Sequence, residues 1–319
     1  MVVYDAAIAR TGTLGTDTDP LVPEPLVASV IQEATKQSAA LSQFRSVPMA
    51  AGTSRQPVLS VLPTAYWVSG DTGLKQTTAV EWENIDLVAE EVATIIPVPE
   101  AYIADSGVPI WDEVRPLIGQ AIGTLIDQAT IFGTGAPVTF GDSVFEKADA
   151  AGNVVTAGTG DDLGVDVAAI GQLLAEQGFA LSGFLSKPGF QWQLVGLRSA
   201  DGVPIYQSGL SGGLVQGLYG RPLNEVSNGA WSASDAVLIG GDFTKAIVGV
   251  RQDISVKIFD QGVISDGSGN VVLNLMQQDS VAMRVTARFG FATANPVTTL
   301  EDSATLRSPF AYLAPAVSA

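Results

Sequence analysis

Cysteine and histidine are both absent from this sequence of 319 residues. Without cysteine the chain forms no disulfide bonds, performs no thiolate catalysis and offers no thiolate metal ligand. Without histidine it has no Ser-His-Asp triad, no zinc site of the HExxH kind and no histidine acid–base step. Carboxylate, lysine and tyrosine chemistry remains open, but no set of residues is typical of a metal or cofactor site, so we expect no cofactor.

Basic side chains are scarce: 16 Lys and Arg stand against 33 Asp and Glu, which gives a formal net charge of −17. The basic residues are scattered singly from Arg10 to Arg307. A protein that grips DNA through its phosphates needs clustered positive charge, so sequence-specific nucleic-acid binding is disfavoured. A container lined with negative charge would instead let enclosed DNA slide without adhering.

Long hydrophobic runs are also missing. No apolar stretch approaches the ~18–20 residues that span a bilayer, and the start at Met1 lacks the basic and apolar regions of a secretory signal. We therefore expect a cytoplasmic protein without a membrane partner. Since 46% of the residues are hydrophobic and only 15% are charged, the chain can bury a sizeable core.

The first third of the chain favours projecting segments. Residues 1–25 are small, polar and proline-containing, which indicates an extended arm. A short amphipathic helix is predicted from Leu26 to Leu41. Three prolines among β-branched residues predict an exposed two-stranded excursion over residues 45–64. A strand follows from Trp82 to Ile96, with a change of apolar phase at Glu90-Glu91 that indicates a bulge.

One long amphipathic helix follows, with acidic residues in its first turn and Gly133 as a left-handed C-terminal residue. Pro116 is the discordant residue, and it predicts a kink or a late start. The side chains predicted to face inward recur at i, i+3, i+4 and i+7: Val114, Leu117, Ile118, Ala121, Ile122, Leu125, Ile126 and Ala129. The side chains predicted to face outward are Asp112, Glu113, Gln120, Asp127 and Gln128.

The rest of the chain alternates helical and strand patterns, which predicts an α+β body. The clearest strand runs from Val281 to Phe291, because apolar residues alternate there with Arg284, Thr286 and Arg288. The other predicted elements are helices at Asp162–Gln177 and Pro188–Leu197 and strands at Phe184–Ser186, Val237–Gly240 and Ala246–Val250.

Four groups of residues could carry chemistry, and each has a structural interpretation that we favour. Glycines 133–135 and 209–220 are read as loops rather than phosphate sites, because the first follows a helix and the second lacks Gly-Lys-Ser/Thr. Asp266–Asn270 starts like a calcium loop but lacks its sixth-position glycine and closing glutamate, so a hairpin turn is favoured. Neighbouring Glu90 and Glu91 face opposite sides of a strand, and Asp161-Asp162 precedes a helix as a cap.

Several motifs in this order resemble the major capsid protein family of tailed bacteriophages, whose fold encapsulin nanocompartments share. The resemblance covers about residues 20–310 and rests on the order and spacing of the motifs together. The matching segments are Trp67-Val68-Ser69-Gly70, Trp82–Pro99, Trp111–Gly135, Leu218–Leu223, Gly241-Asp242-Phe243, Arg251–Ile254 and Asp279–Pro296.

The resemblance implies an α+β capsid fold with an N-terminal arm, an extended β-hairpin loop, a peripheral domain with a long spine helix, and an axial domain. Its segments would be 1–45 for the arm and short helix, 46–83 for the extended loop, 84–145 plus 271–310 for the peripheral domain, 146–270 for the axial domain and 311–319 for a C-terminal tail.

The implied function is not enzymatic: the chain would assemble into hexamers and pentamers of an icosahedral head shell around double-stranded DNA. Its location would be the virion, after assembly in the bacterial cytoplasm. The expected partners are further copies, a separate scaffolding protein, a portal and a decoration protein. Trp67, Lys75, Trp82 and Asn295 are the candidates for contacts between subunits, with Lys75 and Asn295 as a candidate isopeptide pair.

Three alternatives remain open from the sequence. One is a phage tail or decoration protein, which would be mostly β and would lack the long helix. An encapsulin shell would share the fold, although the proline-rich start differs from the cargo-docking helix usual there. A carboxylate-dependent hydrolase would need two acidic side chains that converge in a cleft, and no such pair is evident.

Overall fold

The computed structural model describes residues 38–68, 73–106, 109–160, 162–197, 206 and 217–316. The predicted arm over residues 1–25 and most of the helix predicted from Leu26 lie outside these residues. The α-helices in these residues are α1 (Ala39–Gln43), α2 (Glu100–Asp105), α3 (Ile110–Phe132), α4 (Val144–Ala150), α5 (Leu163–Glu176) and α6 (Phe190–Val195). Short 3₁₀ turns occur at Val138–Phe140 and Phe243–Lys245.

The strands form two larger sheets and two strand pairs. They are β1 (Arg45–Pro48), β2 (Thr53–Val61), β3 (Glu81–Val88), β4 (Glu90–Pro99), β5 (Val154–Thr156), β6 (Gly183–Ser186), β7 (Gly217–Leu218), β8 (Arg221–Glu225), β9 (Leu238–Gly241), β10 (Ala246–Phe259), β11 (Val263–Ser265), β12 (Val271–Asn274), β13 (Ser280–Thr293) and β14 (Phe310–Ala314). This mixture of helices and sheets confirms the predicted α+β class.

A four-stranded sheet packs against the spine helix, α3. Its order is β1-β10-β13-β4, with β10 and β4 both antiparallel to β13. One face of β13 buries Val285, Ala287 and Phe289 in a cluster that includes Ile118 and Ile122 of the spine helix. This confirms the strand predicted from the alternation of apolar residues, because residues at every second position share one sheet face.

A six-stranded sheet forms the second part of the molecule, in the order β5-β14-β9-β6-β8-β7. Helix α5 covers it, and its Val167, Ile170 and Leu174 pack with Phe184 of β6 in a separate buried cluster. Val165, in the first turn of α5, lies outside this cluster and is 49% exposed. Asp162 caps the helix as expected, since its side chain accepts a hydrogen bond from Val165 N.

The spine helix runs from Ile110 to Phe132 and is about 35 Å long at 1.5 Å per residue. Gly133 ends it with φ of +72°, as predicted, and a Cβ there would lie 2.7 Å from a carboxylate oxygen of Glu146. Pro116 lies inside the helix, so the predicted late start is wrong. The ring removes only the donor that would reach the carbonyl of Asp112, near the amino-terminal end.

Only part of the apolar stripe on the spine helix is buried. Ile118, Ile122 and Ile126 are buried as predicted, whereas Leu117 and Leu125 are 45% and 42% exposed. The polar assignment also contains one error: Asp127 was expected on the outer face but is fully buried. The hydrophobic period alone cannot distinguish these positions, because the neighbouring segments decide which edge of the stripe is covered.

Strands β2 and β3 form an antiparallel hairpin. Only β2 lies in the excursion predicted over residues 45–64. Its partner β3 comes from the strand predicted at Trp82–Ile96, which the structure divides at Ala89 into β3 and β4. The base of the hairpin packs Leu87 and Ala89 against Ile247 and Ala292 of the four-stranded sheet. The prediction is wrong for Arg45–Pro48, which joins that sheet by parallel pairing with β10. Proline is tolerated there because β1 lies at the edge of the sheet.

The pairing of strands crosses two of the segment boundaries expected from the sequence. Strand β10 lies in the segment expected to be axial, yet it pairs along its length with β13 of the peripheral segment. Strand β14 begins at Phe310, at the expected tail, and lies between β5 and β9 inside the six-stranded sheet. The strands therefore belong together by sheet and not by the expected segment boundaries.

Candidate inter-subunit contact sites

The hairpin continues beyond its strands as two segments, residues 62–68 and 73–80, which we call the loop tip. The backbone N–H of Thr64 donates a hydrogen bond of 2.9 Å to the hydroxyl of Thr78. Farther out, the Tyr66 hydroxyl donates one of 2.7 Å to the carbonyl of Gln76. These cross-links hold the described parts of the tip, 62–68 and 73–80, side by side although neither forms a regular strand.

Large apolar side chains on the loop tip and at its base face solvent. Trp67 is fully exposed, at 101% of its reference area, and Leu74 is 92% exposed. Trp82, the second residue of β3, is 68% exposed. Scattered exposed apolar residues are ordinary, but two nearly bare side chains on one projecting hairpin are typical of an interaction surface.

Lys75 is an exposed residue of the loop tip, close in sequence to Leu74. Asn295 lies elsewhere, in the segment after β13, and its amide is already engaged within the chain. Its Nδ2 donates hydrogen bonds to the carbonyls of Ala304, at 3.1 Å, and Arg307, at 3.0 Å. The guanidinium of Arg307 in turn donates to the Asn295 carbonyl at 3.0 Å, and burial lowers the pKa of Arg307.

Asp127 lies at a buried polar site where its carboxylate accepts four hydrogen bonds, and no pattern in the sequence predicted it. Its carboxylate accepts hydrogen bonds from Ser38 Oγ at 2.5 Å and from the backbone N–H groups of Ala39 and Ala40 at 2.9 and 3.0 Å. Asn228 Nδ2 donates a fourth at 2.6 Å. The carboxylate therefore caps α1 and joins three separate segments of the chain, which makes its role structural.

The acidic groups considered for chemistry lie in structural roles. Glu90 accepts a hydrogen bond from the Thr139 hydroxyl at 2.8 Å, and Asp161 lies outside the described residues. Asp266 accepts bonds from the N–H groups of Ser268 and Asn270, as in a hairpin turn, and the Asn270 side chain helps to lower its pKa. Across the described part of the chain, no three acidic side chains are grouped so that they could hold a metal ion.

Of the two glycine-rich segments, 133–135 ends the spine helix and 209–216 lies outside the described residues. No helix in the described ranges combines the length and apolar character that crossing a membrane requires. A projecting hairpin with bare aromatic and aliphatic side chains thus remains the feature that most resembles a binding site.

Comparison with known proteins finds a matching family and a curated relative. The sequence profile of the Phage capsid family matches residues 19–298. A curated relative, the major capsid protein of Staphylococcus phage 80alpha, is 25% identical over 259 residues, which cover 81% of this chain and 76% of the relative.

Solved structures resemble the fold over nearly the whole chain. A protein of Microbacterium phage Oxtober96 is 38% identical with a TM-score of 0.84, covering 92% of this chain and 96% of its own. A protein of Mycobacterium phage Adephagia is 34% identical with a TM-score of 0.81, covering 94% and 96%.

Proposed function

Because this chain belongs to the phage capsid family as a bacteriophage major capsid protein, we propose that its loop tip binds neighbouring copies in an icosahedral shell. The chain is a structural protein with the tailed-phage capsid fold, and such proteins form oligomeric shells. The encapsulin and hydrolase alternatives are not favoured, since the family and the curated relative are those of phage capsids.

One observation carries the proposal: Trp67 and Leu74 are almost fully exposed on a hairpin that projects from the four-stranded sheet. Burying each such side chain against a neighbour would stabilise the contact by roughly 1.5–3 kcal/mol. Trp82 and Lys75 would lie at the same contact, with Asn295 as a further candidate by region. Repeated around hexamers and pentamers, this single contact type would link every subunit to the next.

The charge of the chain supports enclosure of DNA without sequence-specific binding. A net charge of −17 repels the phosphate backbone, so packed double-stranded DNA would not adhere to the shell. We expect a separate scaffolding protein, a portal and a decoration protein as partners, and assembly in the host cytoplasm before the subunit enters the virion. The four-stranded sheet with the spine helix would be the peripheral domain, and the six-stranded sheet the axial domain.

The test is assembly of a variant with Trp67→Ser and Leu74→Ser, compared with wild type and with Trp67→Phe. Both altered side chains are exposed, so thermal unfolding of the unassembled subunit should stay within about 0.5 kcal/mol of wild type. Shell formation should fall sharply in the double serine variant and persist in Trp67→Phe, which keeps an apolar ring. Normal shells from the double serine variant would show that the loop tip does not join subunits.

A further inference from the structure

The four-stranded sheet has a second face, opposite the spine helix, that is covered at one end only. The base of the β2–β3 hairpin packs on it around Ile247 and Ala292. Beyond that point the side chains are partly or fully exposed as far as Ala282, which is buried opposite Phe259. This open sheet face consists of Glu91, Ala93 and Ile95 from β4, Arg284, Thr286 and Arg288 from β13, and Gln252, Ser255 and Lys257 from β10.

Three cations lie together on the open sheet face. Lys257 is directly opposite Arg284 in the β10–β13 register, and Arg288 is two residues beyond Thr286 on the same face of β13. Among the described residues, the ion pairs present join other residues: Arg55–Asp86, Arg115–Asp112, Lys147–Asp142 and Lys245–Asp242. Within the described part of their own subunit, none of the three cations therefore has a carboxylate oxygen within 4.0 Å.

The two arginines are also only partly solvated. The Nε atoms of Arg284 and Arg288 are buried and have no hydrogen-bond acceptor in the described structure. The guanidinium of Arg284 lies 4.8 Å from the ring centroid of Phe259, which fixes its position. Arg288 reaches the Ala89 carbonyl only at 3.5 Å, the limit for a hydrogen bond. Among the described residues this long bond is the one hydrogen bond of the two guanidinium groups, and neither forms an ion pair, so both are available to a carboxylate from outside the subunit.

The surroundings of the cations favour a protein partner over nucleic acid. Ala93 and the 47%-exposed Ile95 form an apolar strip along β4 beside them, and Glu91 lies opposite Arg288 in the register. Protein interfaces combine such apolar area with a few placed charges, whereas DNA-binding surfaces concentrate positive charge without acid. A chain with 33 acidic residues against 16 basic ones is itself an abundant source of carboxylates.

We propose that Arg284, Arg288 and Lys257 receive carboxylates from a neighbouring copy of this chain. The proposal rests on the proposed function, because a shell brings a second copy against each subunit. The two arginines are four positions apart along β13, so the groups that they bind would lie about 13 Å apart. That spacing suits acidic side chains carried on one face of an extended segment of the neighbour.

The first test replaces both arginines with glutamine, which keeps a polar side chain, although a shorter one, and removes the charge. Arg284→Gln with Arg288→Gln should leave thermal unfolding of the unassembled subunit near that of wild type, and lower the yield of shells about tenfold or more at equal protein concentration. Arg115→Gln is the matched control, because it removes an exposed arginine on the spine helix. It should assemble like wild type.

The second test uses Lys257 of the wild-type protein as a reporter and does not depend on the variants folding. Shells are assembled from equal amounts of unlabelled and heavy-nitrogen-labelled subunits, and a carbodiimide then couples lysine amines to carboxylates in direct contact. Mass spectrometry should find Lys257 peptides joined to an acidic peptide of the other isotopic form.

The outcomes separate this inference from the proposed function. Wild-type shells whose Lys257 cross-links occur only within one subunit would overturn the inference and leave the function intact, as would normal assembly of the double glutamine variant. Normal shells that lose packaged DNA in that variant would overturn it in favour of a nucleic-acid contact. A wild-type protein that forms no shells would contradict both.

Discussion

Asn228 donates a hydrogen bond of 2.6 Å from Nδ2 to Oδ2 of Asp127, and so joins the loop before β9 to the buried face of the spine helix. The other carboxylate oxygen accepts from the hydroxyl of Ser38, at the start of α1. The Asp127 side chain thus connects three parts of the chain. They are the start of α1, the spine helix and the loop between β8 and β9 of the six-stranded sheet.

Asp127→Ala should destabilise the subunit by about 3 kcal/mol, because it leaves buried donors on Ser38, Ala39, Ala40 and Asn228 without their acceptor. Asp127→Asn should cost less, since one acceptor oxygen remains. Chemical denaturation of the unassembled subunit measures both. Asp112→Ala, in the exposed first turn of the same helix, is the control and should change stability by no more than about 0.5 kcal/mol; equal effects at both positions would refute the role of Asp127.

Tyr312 predicts a dependence of stability on alkaline pH. Its hydroxyl donates a hydrogen bond of 2.7 Å to Asp149, and burial, reinforced by that carboxylate, raises the pKa of the phenol. Because the folded-state pKa is raised, its contribution is complete below the ordinary value of about 10 and is lost as pH rises through the folded-state value. Denaturation at pH 8 to 11 should show wild type losing stability more steeply than Tyr312→Phe.

The same substitution also removes the hydrogen bond, so Tyr312→Phe should be about 1 kcal/mol less stable than wild type near neutral pH. The two curves should then converge at alkaline pH. Parallel curves over the whole range would mean that ionisation of Tyr312 does not limit stability.

Pro116 interrupts the hydrogen-bond ladder of the spine helix, since it cannot donate to the carbonyl of Asp112. Pro116→Ala should raise the free energy of unfolding by about 1–2 kcal/mol, after the greater freedom of the unfolded chain is taken into account. Thermal unfolding of the subunit checks this. A stability equal to or below that of wild type would indicate that the proline ring makes a packing contribution as large as the bond it removes.

Denaturing gel electrophoresis of assembled shells tests the candidate isopeptide bond between Lys75 and Asn295. We expect bands of single subunits only, because the Asn295 amide nitrogen, which would leave in that reaction, donates to the carbonyls of Ala304 and Arg307 within its own chain. A ladder of covalent oligomers that disappears in Lys75→Arg would contradict this expectation.

The sequence was most informative where a pattern is local. Alternation over β13 and the long helical period before Gly133 both correspond to the elements seen, since backbone geometry sets those periods. The exposed hairpin was also evident, because Pro57 excludes a central strand. The resemblance to capsid proteins came from the order of such elements, and the family match supports it.

Features that depend on distant partners could not be predicted. Asp127 looked like an outer residue of an amphipathic helix, because the groups that bind it come from about 90 residues earlier and 100 residues later in the chain. Arg45–Pro48 looked like part of the hairpin, and only its pairing with β10 assigns it to the sheet. The open sheet face likewise arises from the register of three strands, which no single strand specifies.

Electron microscopy of the negatively stained protein, expressed together with the genes that neighbour its own, tests most directly whether this chain builds a shell. The fold, the family and the bare side chains of the loop tip predict closed, angular shells of one size. A protein that remained a stable monomer under every condition of expression and concentration would contradict that prediction.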